Sequence, residues 1–207
     1  VSALSFNIEE TRKFAGGLDD PTRLAANFPG IVGAPFTSEN FIAIRGNSPR
    51  GLIYRIEGID IPNPNHFARI GSSGGTFTIF SQQVLANSDF FIGAFPAAYG
   101  NATSGVFDIN FRKGNTEKRE YTFQAGVLGF DLATEGPIKK GSKASYLVNY
   151  RLFSLTLAEY VSTFISNTNY QDLSFNIHLP TEKAGSFTLF GMGGLSTRTK
   201  PEEESNF

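Results

Sequence analysis

Apolar side chains recur at every second position through most of the sequence after about residue 117. In the clearest segment the apolar positions are Leu173, Phe175, Ile177 and Leu179, and the polar positions between them are Ser174, Asn176 and His178. Successive side chains of a strand point to opposite faces, so this spacing predicts strands with one apolar and one polar face. Such a sheet needs either a second sheet or lipid against its apolar face, and alternation alone leaves both possibilities open.

A change of phase marks a hairpin at the start of this alternating region. Apolar residues at spacing two form two sets of opposite phase: Tyr121, Phe123, Ala125 and Val127, then Leu128, Phe130 and Leu132. One strand changes face only through a bulge, so a tight turn near Gly126–Gly129 explains the switch better. We therefore predict that Arg119–Gly126 and Phe130–Glu135 are antiparallel partners.

Three more strands are predicted downstream, at Ala144–Arg151, Leu173–Leu179 and Ser186–Thr197. A long mixed stretch, Phe153–Asn169, separates the first two of them, and a short turn at Glu182–Gly185 separates the last two. The connections between the five strands thus run short, short, long, short. This order is typical of transmembrane barrels, which pair short periplasmic turns with longer outside loops.

The first 115 residues predict shorter elements interrupted by turn residues. Asp20-Pro21 is typical of a helix start, because an Asp cap and a Pro in the first turn both suit a helix N-terminus. Val106–Phe111 alternates cleanly and predicts a strand. We expect a compact α+β domain with a small central sheet that joins the strands around Ile44, Ile56 and Ile109.

Composition and charge exclude several classes of function. The net charge of −1 gives no reason to expect nucleic acid as a partner, and without cysteine there is no thiolate metal site. His66 and His178 are the only histidines, neither has a second ligand at metal-binding spacing, and no Ser–His–Asp set is apparent. We therefore expect no enzyme, no metal and no cofactor.

The sequence predicts no transmembrane helix, because it contains no run of 18 or more apolar residues. Membrane strands give a weaker signal than helices, so a membrane location stays open at this point. The chain begins at Val1 without an initiator Met and stops at Phe207 after an acidic run. We interpret it as a processed or truncated fragment of a longer protein.

Three segments, in this order, resemble the plug of TonB-dependent outer-membrane receptors: Phe41–Gly46, Tyr54–Pro62 and Phe95–Asn110. They are similar to the family's strand ending in I-R-G, to the strand and turn that follow it, and to the close of the plug. Ile61–Phe67 and Asn87–Phe91 further resemble a subgroup whose precursors carry an extra N-terminal domain like the carboxypeptidase regulatory domain.

The resemblance implies an α+β plug domain with a small mixed sheet over residues 1–115, followed by antiparallel strands of a transmembrane β-barrel over residues 116–207. In such receptors a barrel of about 22 strands encloses the plug. The family takes up a nutrient such as a glycan, a peptide or a siderophore by energised gating in the bacterial outer membrane. The implied partners are TonB, through an N-terminal segment not in this chain, outer-membrane lipid and a surface lipoprotein. The alternative interpretation is a structural or adhesive cell-surface β-protein.

Four residues are candidates for contacts between plug and barrel. The resemblance implies that Arg45 is buried there and pairs with barrel carboxylates, since an unpaired buried guanidinium is strongly destabilising. The alternative is an exposed arginine at a strand end. Glu57 and Asp60 either pair with Arg45 or Arg55 or polarise a turn, and Tyr99 belongs to the third matching segment.

The alternating strands and one charged turn give two further expectations. In a barrel, the apolar set of Leu173–Leu179 faces lipid and the polar set faces the lumen, so an arginine on the lipid side should cost about 2–4 kcal/mol near the midplane. The same change at Ser174 is expected to cost little, unless it collides with the plug. A cluster of lysines lies near a predicted periplasmic turn, where solvated charges are the simpler interpretation: Lys139, Lys140 and Lys143.

Overall fold

The protein is described by a computed structural model that covers residues 2–6, 20–33, 40–126, 129–154 and 167–199. The chain divides into two compact units, Val1–Lys113 and Gly114–Phe207. Assignment of the first unit as a plug and the second as barrel strands stays a prediction.

The first unit combines one short α-helix with short strands. The helix is α1, Pro21–Ala25. The strands are β1 (Ser2–Phe6), β2 (Ile31–Gly33), β3 (Ile42–Ile44), β4 (Leu52–Ile56), β5 (Ile59–Ile61), β6 (Asn65–His66), β7 (Phe77–Thr78), β8 (Ser88–Gly93) and β9 (Gly105–Ile109). Two 3₁₀ turns lie between them, at Pro49–Gly51 and Gln82–Val84.

Five of these strands form one mixed sheet in the order β1-β8-β9-β4-β5. Only the central pair, β4 with β9, is parallel. Tyr54, Phe107 and Phe90 are aligned across its three central strands and are fully buried. Their rings stack at centroid distances of 5.5 Å and 4.2 Å, so aromatic packing forms the centre of this core.

The predicted helix start is confirmed. The backbone N–H of Thr22 donates to Oδ1 of Asp20 at 2.8 Å, and Pro21 occupies the first helical position, where its missing N–H is not needed. The helix ends at Ala25, and its buried residues include Leu24 and Ala25.

Two expectations for this unit are wrong in detail. The strand that contains Ile44 pairs with β2 in a separate two-stranded sheet and does not join Ile56 and Ile109. Ile44 is fully buried and its Cδ1 lies 2.4 Å from the position a Cβ on Gly105 would take, so it meets the main sheet by side-chain packing. The strand expected to reach Phe111 ends at Ile109, because the next residues pair with the segment around Leu85.

The second unit is an antiparallel meander of longer strands. In sheet order these are β10 (Glu120–Gly126), β11 (Gly129–Pro137), β12 (Ser145–Ser154), β13 (Asn167–Pro180) and β14 (Ser186–Thr199). Gly126 pairs with Gly129, so the antiparallel partners predicted from the phase switch are confirmed. The turn residues between them, and most of the long stretch predicted between β12 and β13, lie outside the described residues.

Candidate functional site

One face of the five-stranded sheet carries a continuous row of polar residues, one from each strand. Across the sheet the row reads Ser5, Asp89, Asp108, Arg55 and Asp60. Ser5 Oγ donates to Asp89 Oδ1, and Arg55 Nε donates to Asp60 Oδ1 at 2.7 Å. Asp108 and Asp60 thus flank the guanidinium of Arg55 on the two neighbouring strands, and the bond to Asp60 raises the pKa of Arg55.

Tyr99 closes over the middle of this row from the loop between β8 and β9. Its hydroxyl donates to Asp108 Oδ2 at 2.5 Å, and its ring centroid lies 4.7 Å from Cζ of Arg55. The ring also packs against Phe91 with centroids 5.0 Å apart. Burial, followed by the bond to Asp108, raises the pKa of Tyr99 to about 12. The contact therefore fastens the loop to the sheet.

Replacing Tyr99 by Phe should remove part of the alkaline destabilisation of the first unit. A phenol whose pKa is raised in the folded state contributes stability that is fully present below its unfolded pKa of 10.0 and is lost as pH rises towards about 12. Unfolding of the intact protein and of the variant should be compared by hydrogen exchange between pH 9 and pH 11.5. An equal loss of stability with rising pH in both proteins would mean that the Tyr99 hydroxyl does not cause the alkaline destabilisation.

The other two predicted contact residues lie apart from this row. Glu57 accepts through Oε1 from the backbone N–H of Phe111 at 2.5 Å, so it fastens the chain just after β9. Arg45 is exposed, with a positive φ of 51° that ends β3, and its guanidinium makes no hydrogen bond or ion pair with any residue in the described ranges. Its pairing with carboxylates elsewhere stays a prediction.

The structure therefore brings together only some of the predicted site. Asp60 and Tyr99 both contact Arg55, whereas neither Glu57 nor Asp60 pairs with Arg45. Asp108 and Asp89 complete the row and were not identified as site residues from the sequence. They are paired directly across β8 and β9, so their side chains share one face of the sheet.

A buried amide network holds a second part of the first unit, and the sequence analysis missed it. Asn40 Nδ2 donates to Asp20 Oδ2 at 2.5 Å and to Asn65 Oδ1 at 2.8 Å, and Asn40 Oδ1 accepts from the N–H of Gly75 at 2.8 Å. Asn63 then binds two carbonyls of the same loop. Burial raises the pKa of Asp20. The network ties the loop of residues 63–75 to the start of α1.

The second unit exposes apolar side chains along one face of its sheet. They alternate along each strand and share one face by register, with exposed fractions between 38% and 76%. These residues are Tyr121, Phe123, Phe130, Leu132, Tyr150, Leu152, Leu173, Leu179, Phe187, Leu189 and Leu195. Leu173 and Leu179 lie on this exposed apolar face, and the prediction that the face meets lipid stays a prediction. A protein that folds in water alone normally covers such a face.

The opposite face of the same sheet is polar and buried at its centre. Its buried polar residues include Ser145, Asn149, Asp172, Ser174, Asn176 and His178. Arg151 pairs with Asp172 at 2.5 Å, and Asn149 Nδ2 donates to Asp131 Oδ1 at 2.5 Å. Ser174 is fully buried on this face, and the small cost expected of an arginine there, unless it collides with the plug, stays a prediction.

Within the described ranges, no group of three or more His, Asp or Glu residues could hold a metal ion. Among the helices of the same ranges, none is long and apolar enough to cross a membrane.

No protein-family model matches the sequence, and no curated protein matches it either. Solved structures do match the fold. The siderophore receptor PirA from Pseudomonas aeruginosa aligns with a TM-score of 0.66 and 15% identity over 95% of this chain and 34% of that chain. A variant of the ferric enterobactin receptor PfeA from the same organism, in complex with enterobactin, aligns with a TM-score of 0.62 and 14% identity. That alignment covers 95% of this chain and 33% of the receptor chain. The chain thus spans about a third of these receptors and shares the fold of that part.

Proposed function

We propose that this chain is part of a TonB-dependent outer-membrane receptor that takes up a nutrient by energised gating. In this proposal the first unit is the plug and the second unit contributes the first strands of the barrel. The observation that carries the proposal is the sidedness of the second sheet, whose apolar face is exposed and whose polar face is buried at its centre. The fold similarity to receptor structures supports it.

The sidedness follows from the solvent expected on each face. In hydrocarbon an exposed polar group is destabilising, so a strand that crosses a bilayer turns its apolar side chains outward. The opposite face of a barrel meets a polar interior, and on that face Asn149 donates to Asp131 and Arg151 pairs with Asp172. A soluble sandwich would bury the apolar face between two sheets, so this arrangement argues against a soluble adhesive β-protein.

The packing of the first unit suits a plug that moves during gating. Its core is a compact aromatic stack, and its loops are fastened by Tyr99 and by the Asn40 network. Arg45 projects from the surface without a partner among the described residues, so it can pair with a carboxylate of the remaining barrel. The proposed partners are TonB, outer-membrane lipid and a surface lipoprotein, and the protein carries out no covalent chemistry.

The proposal is tested by locating the intact protein and its energising partner. We expect it in the outer-membrane fraction as a folded barrel that unfolds only on heating, and we expect the purified C-terminal domain of TonB to capture it. A control variant of the intact protein that lacks the residues preceding the plug should insert into the outer membrane normally, but the TonB domain should not capture it. Recovery of the intact protein in a soluble fraction would overturn the membrane assignment, and insertion without capture would overturn the transport mechanism.

A further inference from the structure

The short connection between β11 and β12, residues 138–144, carries three exposed lysines: Lys139, Lys140 and Lys143. The connection is ordered by its own backbone. The N–H of Ile138 donates to the carbonyl of Ala144 at 3.0 Å, and the N–H of Ser142 donates to that of Lys139 at 2.9 Å. Gly141 supplies the positive φ of 78° that the turn requires. The three ammonium groups are therefore displayed together at one end of the sheet.

These lysines give that end of the second sheet an excess of positive charge. The other charged residues there are not in positive excess: Glu117, Lys118, Arg119 and Glu120 at the start of β10, Glu135 near the end of β11, and Glu182 and Lys183 in the next short turn. Lys118 Nζ lies 2.8 Å from Glu120 Oε1, so its charge is already paired. No carboxylate in the described part of the chain pairs with any lysine of the 138–144 turn, which leaves three positive charges for an external anion.

Aromatic side chains lie just above the turns on the apolar face. Each of three strands that begin at this end has an aromatic residue in its second position on that face: Tyr121, Tyr146 and Phe187. Tyr121 and Phe187 are more than half exposed. Aromatic girdles mark the boundary between hydrocarbon and headgroups in membrane barrels. The lysines lie beyond that girdle, next to the exposed Ile138, and so at the depth of lipid phosphates.

We propose that the lysine turn of residues 138–144 binds the headgroups of anionic phospholipids in the inner leaflet of the outer membrane. This inference rests on the proposed function, which places the short turns at the periplasmic side. The adjacent Ile138 and aromatic girdle favour a lipid over a free phosphate, because only a lipid brings acyl chains to the apolar surface beside the charge. Lysines near a charged membrane surface attract such lipids, and salt screens the attraction.

The test uses the intact protein in phosphatidylethanolamine vesicles that contain trace spin-labelled phosphatidylglycerol or spin-labelled phosphatidylethanolamine. The measured quantity is the ratio of the two association constants at the protein surface. Combined Lys139→Gln, Lys140→Gln and Lys143→Gln substitution should lower this ratio by more than roughly fivefold, the effect of a single lysine at a charged surface. The matched control Lys118→Gln removes a charge at the same end that Glu120 already neutralises, and it should leave the ratio unchanged.

The outcomes separate the two proposals. An intact protein that fails to insert into vesicles contradicts the proposed function, whereas an inserted protein with no preference for phosphatidylglycerol contradicts only the lipid site. A preference that survives the triple substitution overturns the assignment to this turn. If inorganic phosphate displaces the labelled phosphatidylglycerol more than chloride at equal ionic strength, the turn is a site for free phosphate and the lipid proposal is wrong.

Discussion

Replacing Leu173 by arginine should lower the free energy of unfolding of the intact protein in a bilayer by about 2–4 kcal/mol. Leu173 lies near the middle of β13, and its exposed side chain belongs to the apolar face. An arginine there has no polar partner in hydrocarbon and must reach towards the interface. Leu132 and Leu173 are both paired with Tyr150, so they lie on the same face at the same level of the sheet. Leu132→Arg should therefore show a similar loss.

The matched control for this prediction is Gln124→Arg. Gln124 is exposed, lies on the opposite face and pairs in register with Asp131, which favours an added positive charge. Its substitution should change the free energy of unfolding by less than about 0.5 kcal/mol, as for other surface positions. Folding titrations of the three variants in lipid vesicles measure the difference. Equal losses at Leu173 and Gln124 would mean that the apolar face does not meet lipid.

Replacing Asn40 by alanine should destabilise the first unit by roughly 2–4 kcal/mol, because it leaves several buried polar groups without partners. The Asn40 side chain is nearly inaccessible and contacts Asp20, Asn65 and the backbone of Gly75. Hydrogen exchange of the loop of residues 63–75 in the intact protein reports the change. The exposed Asn47 provides the control, and Asn47→Ala should have little effect.

The effect of Asn40→Ala should also depend on pH. Burial raises the pKa of Asp20, so the stability that this group contributes is fully present below its unfolded pKa of 3.8 and is lost as pH rises through the folded pKa. The bond from Asn40 opposes that rise by stabilising the carboxylate. Its removal should therefore be more damaging at pH 7 than at pH 3.5. A loss that is independent of pH would show that Asp20 does not titrate with the network.

Local patterns in the sequence predicted the second unit better than the first. The phase switch around Phe123 and Phe130 located a hairpin, because with a period of two a strand changes face only through a bulge and a tight turn explains the switch better. The apolar and polar faces of β13 followed from the same period. The Asp20 cap was also recognisable, since capping depends on neighbouring residues only.

Features that depend on distant pairing could not be predicted in this way. The row formed by Asp89, Asp108 and Arg55 depends on the pairing of β4 with β9, which lie far apart in the chain. The sheet of Ile44 pairs two consecutive strands, but no local pattern shows that they stay outside the main sheet. A buried asparagine such as Asn40 resembles any loop asparagine in the sequence, because its partners come from two other segments. The exposure of Arg45 likewise depends on surroundings that no local pattern describes.

The parallel pairing of β4 with β9 has a consequence for the order of folding. Leu52 finds its partner Gly105 about fifty positions later, and the pairing of β1 with β8 closes a still longer loop. Every pairing in the second unit joins strands that follow one another in sequence. Because long loops close slowly, the hairpins of the second unit can form from their turns before the strands of the first unit have paired. The part synthesised first should thus be the later one to complete its sheet, and its apolar strands need protection from aggregation until β9 has paired with β4 and β8.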